Sequence, residues 1–146
     1  MHSTFRTAFA GFALSAAMFL APAALAESVA FKADLKASSE VPPVESKGSG
    51  TLSATYDTAS KSLNYTANYS GLTGDATAAH FHGPAAAGQN AGVVVPVTGS
   101  AASPIKGTAT LTDAQAADLM AGRWYFNIHT AANKGGEIRG QVEKGK

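Results

Sequence analysis

From Val29 onward the chain is cut into short runs in which apolar and polar residues alternate, and this period of two excludes most helical folds. In VAFKADLKA, Val29, Phe31, Ala33 and Leu35 fall on one side, and Lys32, Asp34 and Lys36 on the other. Successive side chains of a strand point to opposite faces, so such a run predicts a half-buried β-strand. Gly48 to Asp57 repeats the pattern with Leu52, Ala54 and Tyr56 on one face. Lys61 to Ser70 repeats it again with Leu63, Tyr65, Ala67 and Tyr69. Asp57-Thr58-Ala59-Ser60 between them has the length and chemistry of a hairpin loop.

The punctuation of the remaining chain supports more short strands. Val41-Pro42-Pro43 rules out a central strand there and marks an extended edge or turn. Gly71 to Ala79 reads as a loop feeding a short strand around His80-Phe81-His82, which Gly83-Pro84 stops. Ala85 to Gly92 is small and polar and reads as a surface loop. Val93 to Val97 (interrupted by Pro96), Lys106 to Leu111, Arg123 to Thr130 and Glu137 to Val142 are further strands. One helix is expected near residues 112–121. Thr112 and Gln115 form a capping box, Asp113 suits the first turn, and Gly122 is a terminator. The expected fold is all-β: an antiparallel, Greek-key-like β-sandwich of the immunoglobulin or superoxide-dismutase kind, with that one short helix.

Residues 1–26 have the layout of a cleavable secretory signal. Arg6 precedes an uncharged apolar stretch from Phe9 to Leu20, and Pro22 leads to the small-residue site Ala24-Leu25-Ala26. The apolar stretch is shorter than the roughly 20 residues of a membrane-spanning helix. The working protein is therefore expected to begin near Glu27 as one sandwich domain over residues 27–146, periplasmic or extracellular, with no stable membrane insertion after cleavage. Removal of Arg6 leaves cationic and anionic residues equal in number. No basic run is present to suit nucleic acid. The sequence has no cysteine, so stability must come from the core or from a bound metal, and thiolate chemistry is excluded. The partner is an unknown protein or small ligand, and no oligomeric interface is legible.

Beyond the signal there are three histidines, His80, His82 and His129. His80 and His82 share one face of their strand, opposite Phe81. In Arg123 to Thr130, Trp124, Phe126 and Ile128 make a core face, and Tyr125, Asn127 and His129 the other. If the two strands are neighbours, three imidazoles converge, a donor set suited to copper or zinc with one position left for water or a ligand. The alternative is that both histidine segments, lying at strand ends, only hydrogen-bond to turns. Glu137, after the Gly135-Gly136 turn, is the carboxylate nearest in sequence to His129. Glu137 and Arg139 share a strand face and are expected to pair with each other or across strands. Tyr56, Tyr65 and Tyr69 read as core and rim aromatics.

Three motifs carry a resemblance. The opening strand leads to Ser39-Glu40-Val41-Pro42-Pro43-Val44; then comes Ala79-His80-Phe81-His82-Gly83-Pro84-Ala85; and last Trp124-Tyr125-Phe126-Asn127-Ile128-His129-Thr130 with Gly135-Gly136-Glu137-Ile138-Arg139-Gly140-Gln141-Val142. Together they resemble the CHRD domain family, named after repeats of the extracellular protein chordin, over about residues 31–142. The resemblance implies a non-enzymatic binding module. Asn127, Thr130, Glu137 and Arg139 then support the histidines or lock strand ends and a turn. A more distant similarity is to copper/zinc superoxide dismutase. His80 and His82 match its His-x-His strand, and His129 its late histidine. Residues 83–128 hold no bridging histidine and no cysteine is available for its disulfide. That similarity implies a mononuclear copper or zinc site more readily than a superoxide-handling enzyme.

Overall fold

A computed structural model describes residues 25–146; all but the last two residues of the stretch read as an export signal lie outside the described residues. The eight strands are β1 (Ser28–Lys36), β2 (Ser49–Asp57), β3 (Ser62–Ser70), β4 (Ala76–His82), β5 (Val93–Pro96), β6 (Ile105–Thr110), β7 (Trp124–Thr130) and β8 (Ile138–Lys144). One helix, α1 (Asp113–Met120), lies between β6 and β7. The strands form one sheet in the order β5-β4-β7-β8-β1-β2-β3-β6, and every neighbouring pair is antiparallel. The fold is all-β, as the alternation predicts. Its two halves face each other as in a sandwich, because the continuous sheet curls back on itself.

Curling is visible in side chains that the strand order keeps far apart. Tyr65 on β3 meets Phe81 on β4 edge to face, with ring centroids 5.1 Å apart. Phe81 also packs on Phe126 at 4.8 Å and Trp124 at 5.8 Å. Around this aromatic centre lie the inward residues of the first three strands: Phe31, Ala33 and Leu35, then Leu52, Ala54 and Tyr56, then Leu63, Tyr65 and Ala67. These are the residues that period two assigns to the core. Each fully buried large apolar side chain contributes roughly 1.5–3 kcal/mol relative to exposure.

Local chemistry fixes the helix. Thr112 Oγ1 accepts from the Gln115 amide at 3.2 Å, and Gln115 Oε1 accepts from the Thr112 amide at 3.0 Å. At the other end Gly122, at φ 71°, lets its own N–H reach Leu119 O and that of Arg123 reach Asp118 O. These two bonds satisfy carbonyls that the last turn would leave free. Leu119 buries against the core.

Two expectations are corrected. β4 begins at Ala76, whereas Gly71 to Ala79 reads as a loop. Ala76, Ala78 and Ala79 offer little polar contrast, and the strand is set by pairing with β7, across an irregularity between Ala76 and Ala78. Glu137 and Arg139 do not pair: among the described residues the salt bridges are Lys61–Asp113 and Arg123–Asp118. Glu137 precedes β8 and turns into a separate pocket of hydroxyls.

Candidate functional site

β4 and β7 are neighbours, with His80 opposite Asn127, His82 opposite Tyr125 and Ala78 opposite His129. The three predicted histidines therefore stand on one face of two adjoining strands. One nitrogen from each lies within 4.8 Å of the others. His80 Nδ1 is 2.9 Å from His129 Nε2.

β7 is buried on both faces, and this the alternation does not reveal. The second face is covered by three segments: the turn after β1, the loop after β4 and the β7–β8 connection. They supply the partners that orient the rings. His129 Nδ1 faces Lys134 O at 2.8 Å and donates to it, so Nε2 carries the lone pair. His82 Nδ1 faces Ala91 O at 2.9 Å, and its Nε2 faces Asn127 Oδ1 at 3.0 Å. Backbone carbonyls that fix a histidine tautomer are a usual support for metal ligands. Burial lowers the pKa of His80, helped by repulsion from His129 and His82. Burial also lowers that of His82, against hydrogen bonds to Ala91 and Asn127 that raise it. Both effects favour the neutral imidazole that a metal requires.

The supporting residues divide into two groups. Glu137, wholly buried, accepts from Ser46 Oγ (2.6 Å), the Thr73 amide (2.8 Å), Thr73 Oγ1 (2.7 Å), Thr130 Oγ1 (2.6 Å) and Asn133 Nδ2 (3.1 Å). Burial alone would raise its pKa; the donors from Ser46, Thr130 and Thr73 outweigh that and hold it at about 2. Thr130 and Glu137 thus form a structural tie and do not reach the histidines. Arg139 lies over the Tyr125 ring, 3.4 Å from its centroid, donates to Asn90 Oδ1 at 2.7 Å and also bonds Gln89 O. Together with Asn90 Nδ2 bonding Val41 O at 3.1 Å, it straps the loop after β4 across the polar face.

Sequence reasoning assigned no role to Glu40. It is 5% exposed, and its Oε1 has no hydrogen-bond partner. Burial pushes its carboxyl up to about 7, although the charge of Arg139 and the amide of Asn127 pull the other way. Gly136, at φ 126°, makes room: a side chain there would collide with Glu40 Oε1 and Asn127 Nδ2. The signal available was Glu40 itself, a lone carboxylate between Ser39 and Val41-Pro42.

Comparison with protein families matches the CHRD domain over residues 31–142. Comparisons with curated proteins and with solved structures give no match. Among the described residues no helix is long and apolar enough to cross a membrane.

Proposed function

The chain belongs to the CHRD domain family, and from that premise we propose that it is an exported binding module whose ligand is one copper or zinc ion, held by His80, His82 and His129. The observation that carries the reading is the convergence of three ring nitrogens within 4.8 Å. Imidazoles bound to zinc at about 2.0–2.1 Å stand about 3.4 Å apart in a tetrahedral site. The spacing here brackets that value, so small ring rotations suffice. His129 offers Nε2, because Lys134 O holds its Nδ1 hydrogen. His80 offers Nδ1, the atom that faces His129. The bound ion would supply a Lewis-acidic centre and would tie β4 to β7.

Export is supported by the layout of residues 1–26 and by the extracellular setting from which the family takes its name. The reading stops at binding. Glu137, the carboxylate nearest His129 in sequence, is taken up by Ser46, Thr73, Thr130 and Asn133 and cannot serve as a base.

The test is metal analysis of protein exported and processed by a bacterial host, followed by calorimetric titration with zinc and copper near neutral pH. One ion per chain is expected. A free ion at 100 times its Kd should stabilise the fold by about 2.7 kcal/mol. Joint replacement of His80, His82 and His129 by Ala should abolish both effects. Absence of binding, or binding that survives the triple replacement, would overturn the proposal.

A further inference from the structure

We infer that Asn127 is a fourth ligand of the same centre, donating through Oδ1, so that the site is closed by His80, His82, His129 and Asn127. The inference rests on the three-histidine reading and adds a residue that sequence reasoning placed only in support.

Position comes first. Asn127 and His129 stand two apart on β7, and His80 and His82 two apart on β4, all on one face. His80 pairs directly with Asn127. His82 and His129 lie two residues beyond that pair in opposite directions, so the four side chains form a staggered parallelogram. Two short contacts cross it: His80 Nδ1 to His129 Nε2 at 2.9 Å, and His82 Nε2 to Asn127 Oδ1 at 3.0 Å.

Polarity comes second. Asn127 Nδ2 donates to Gly135 O at 3.3 Å and lies beside the Glu40 carboxyl. Two acceptors on that side hold the amide nitrogen there and turn Oδ1 toward His82. On His82, Ala91 O holds the Nδ1 hydrogen, which leaves a lone pair on Nε2. Two acceptors thus face each other at hydrogen-bond distance. They repel unless a cation lies between them, and that cation is either a proton or a metal ion. A metal ion answers both short contacts at once, since the other one also sets two ring nitrogens, His80 Nδ1 and His129 Nε2, face to face at 2.9 Å. At 2% exposure Asn127 has little water to relieve the contact instead.

The fourth ligand changes what the site does. Closed four-ligand sites bind metal structurally, whereas catalytic ones keep a position open. An amide oxygen among three imidazoles suits divalent zinc or copper and does not suit copper(I), which favours sulfur.

Cobalt(II), as a spectroscopic substitute for zinc, tests the inference with azide as the probe of an open position. The visible spectrum of the cobalt protein should be unmoved by azide. Asn127→Ala should bind cobalt at least about tenfold more weakly, and azide should shift its spectrum. A wild-type cobalt spectrum that azide shifts as readily would remove Asn127 from the ligand set while leaving the histidine site standing. This wild-type measurement holds even if the variant fails to fold. Loss of all histidine-dependent cobalt binding would overturn both the three-histidine reading and the fourth ligand.

Discussion

Tyr125 and His82 stack face to face, with ring planes 2° apart and centroids 4.7 Å apart. The strand order β4-β7-β8 sets Arg139 on the other flank of Tyr125, where its guanidinium lies over the same ring. The tyrosine thus transmits the position of Arg139 to a histidine of the candidate site. Its hydroxyl and Ala91 O, 3.1 Å apart, tie the loop after β4 to the same stack. Arg139→Lys keeps the charge but loses the planar stacking surface and the fork to Asn90 and Gln89. It should cost about 1–3 kcal/mol in denaturant unfolding and weaken zinc binding. A change within about 0.5 kcal/mol, typical of plain surface substitutions, would show that the stack holds nothing in place.

Glu137 gives a prediction with a pH signature. Its folded pKa, about 2, is below the ordinary 4.5. A depressed carboxyl pKa contributes stability that is present above the unfolded value and is lost as pH falls through the folded one. Glu137→Gln should therefore destabilise the protein by about 3 kcal/mol at pH 7. The difference from wild type should shrink between pH 4.5 and pH 2. Urea titrations across that range provide the check, and a difference independent of pH would contradict the assignment.

Glu40 should behave in the opposite sense. Its folded pKa, about 7, exceeds the ordinary 4.5, so the folded state holds its proton more tightly. Stability from this group is whole below pH 4.5 and falls as pH rises toward 7. Glu40→Gln should be more stable than wild type at pH 8 by up to about 3 kcal/mol, and the gap should close toward pH 4. Equal stability at both pH values would mean that Glu40 ionises freely in the fold.

Thr112→Ala removes one bond of the capping box and leaves the Gln115 amide to water. About 1 kcal/mol of stability should be lost. Because α1 carries Leu119 into the core and supplies none of the hydrogen-bond partners of the histidines, zinc affinity should stay within about threefold, below 1 kcal/mol. A larger loss of affinity would connect the helix to the site in a way its packing does not suggest.

How much could be read beforehand depends on what each strand faces. β1 to β3 are wet on one side, so alternation gives both their existence and their core residues. β7 alternates too, yet Tyr125, Asn127 and His129 are buried as well as Trp124 and Phe126, because loops cover them. A polar face under a loop and a polar face in water have the same pattern. The pairing of His80 with His129 was conditional for a related reason: β5, β6 and α1 intervene between β4 and β7, and no local rule says that β7 returns beside β4. Glu137 looked like a partner for Arg139 by spacing. Two of its actual partners, Ser46 and Thr73, lie 91 and 64 residues away, beyond the reach of any short motif. Glu40 carried no sequence signal of burial, because the Gly136 backbone that lies against its carboxyl is distant in sequence.

The first strand and the last lie side by side. Phe31 pairs with Lys144, and the Gly145 amide donates to Ala30 O at 2.8 Å. A short linker would therefore join the two ends of the domain without deforming the sheet. New ends could be opened in the exposed loop at residues 98–103, which carries none of the candidate site residues. The histidine cluster would then sit in a permuted chain with its strand neighbours unchanged, and the same adjacency would let the domain be spliced into a surface loop of another protein as a self-contained unit.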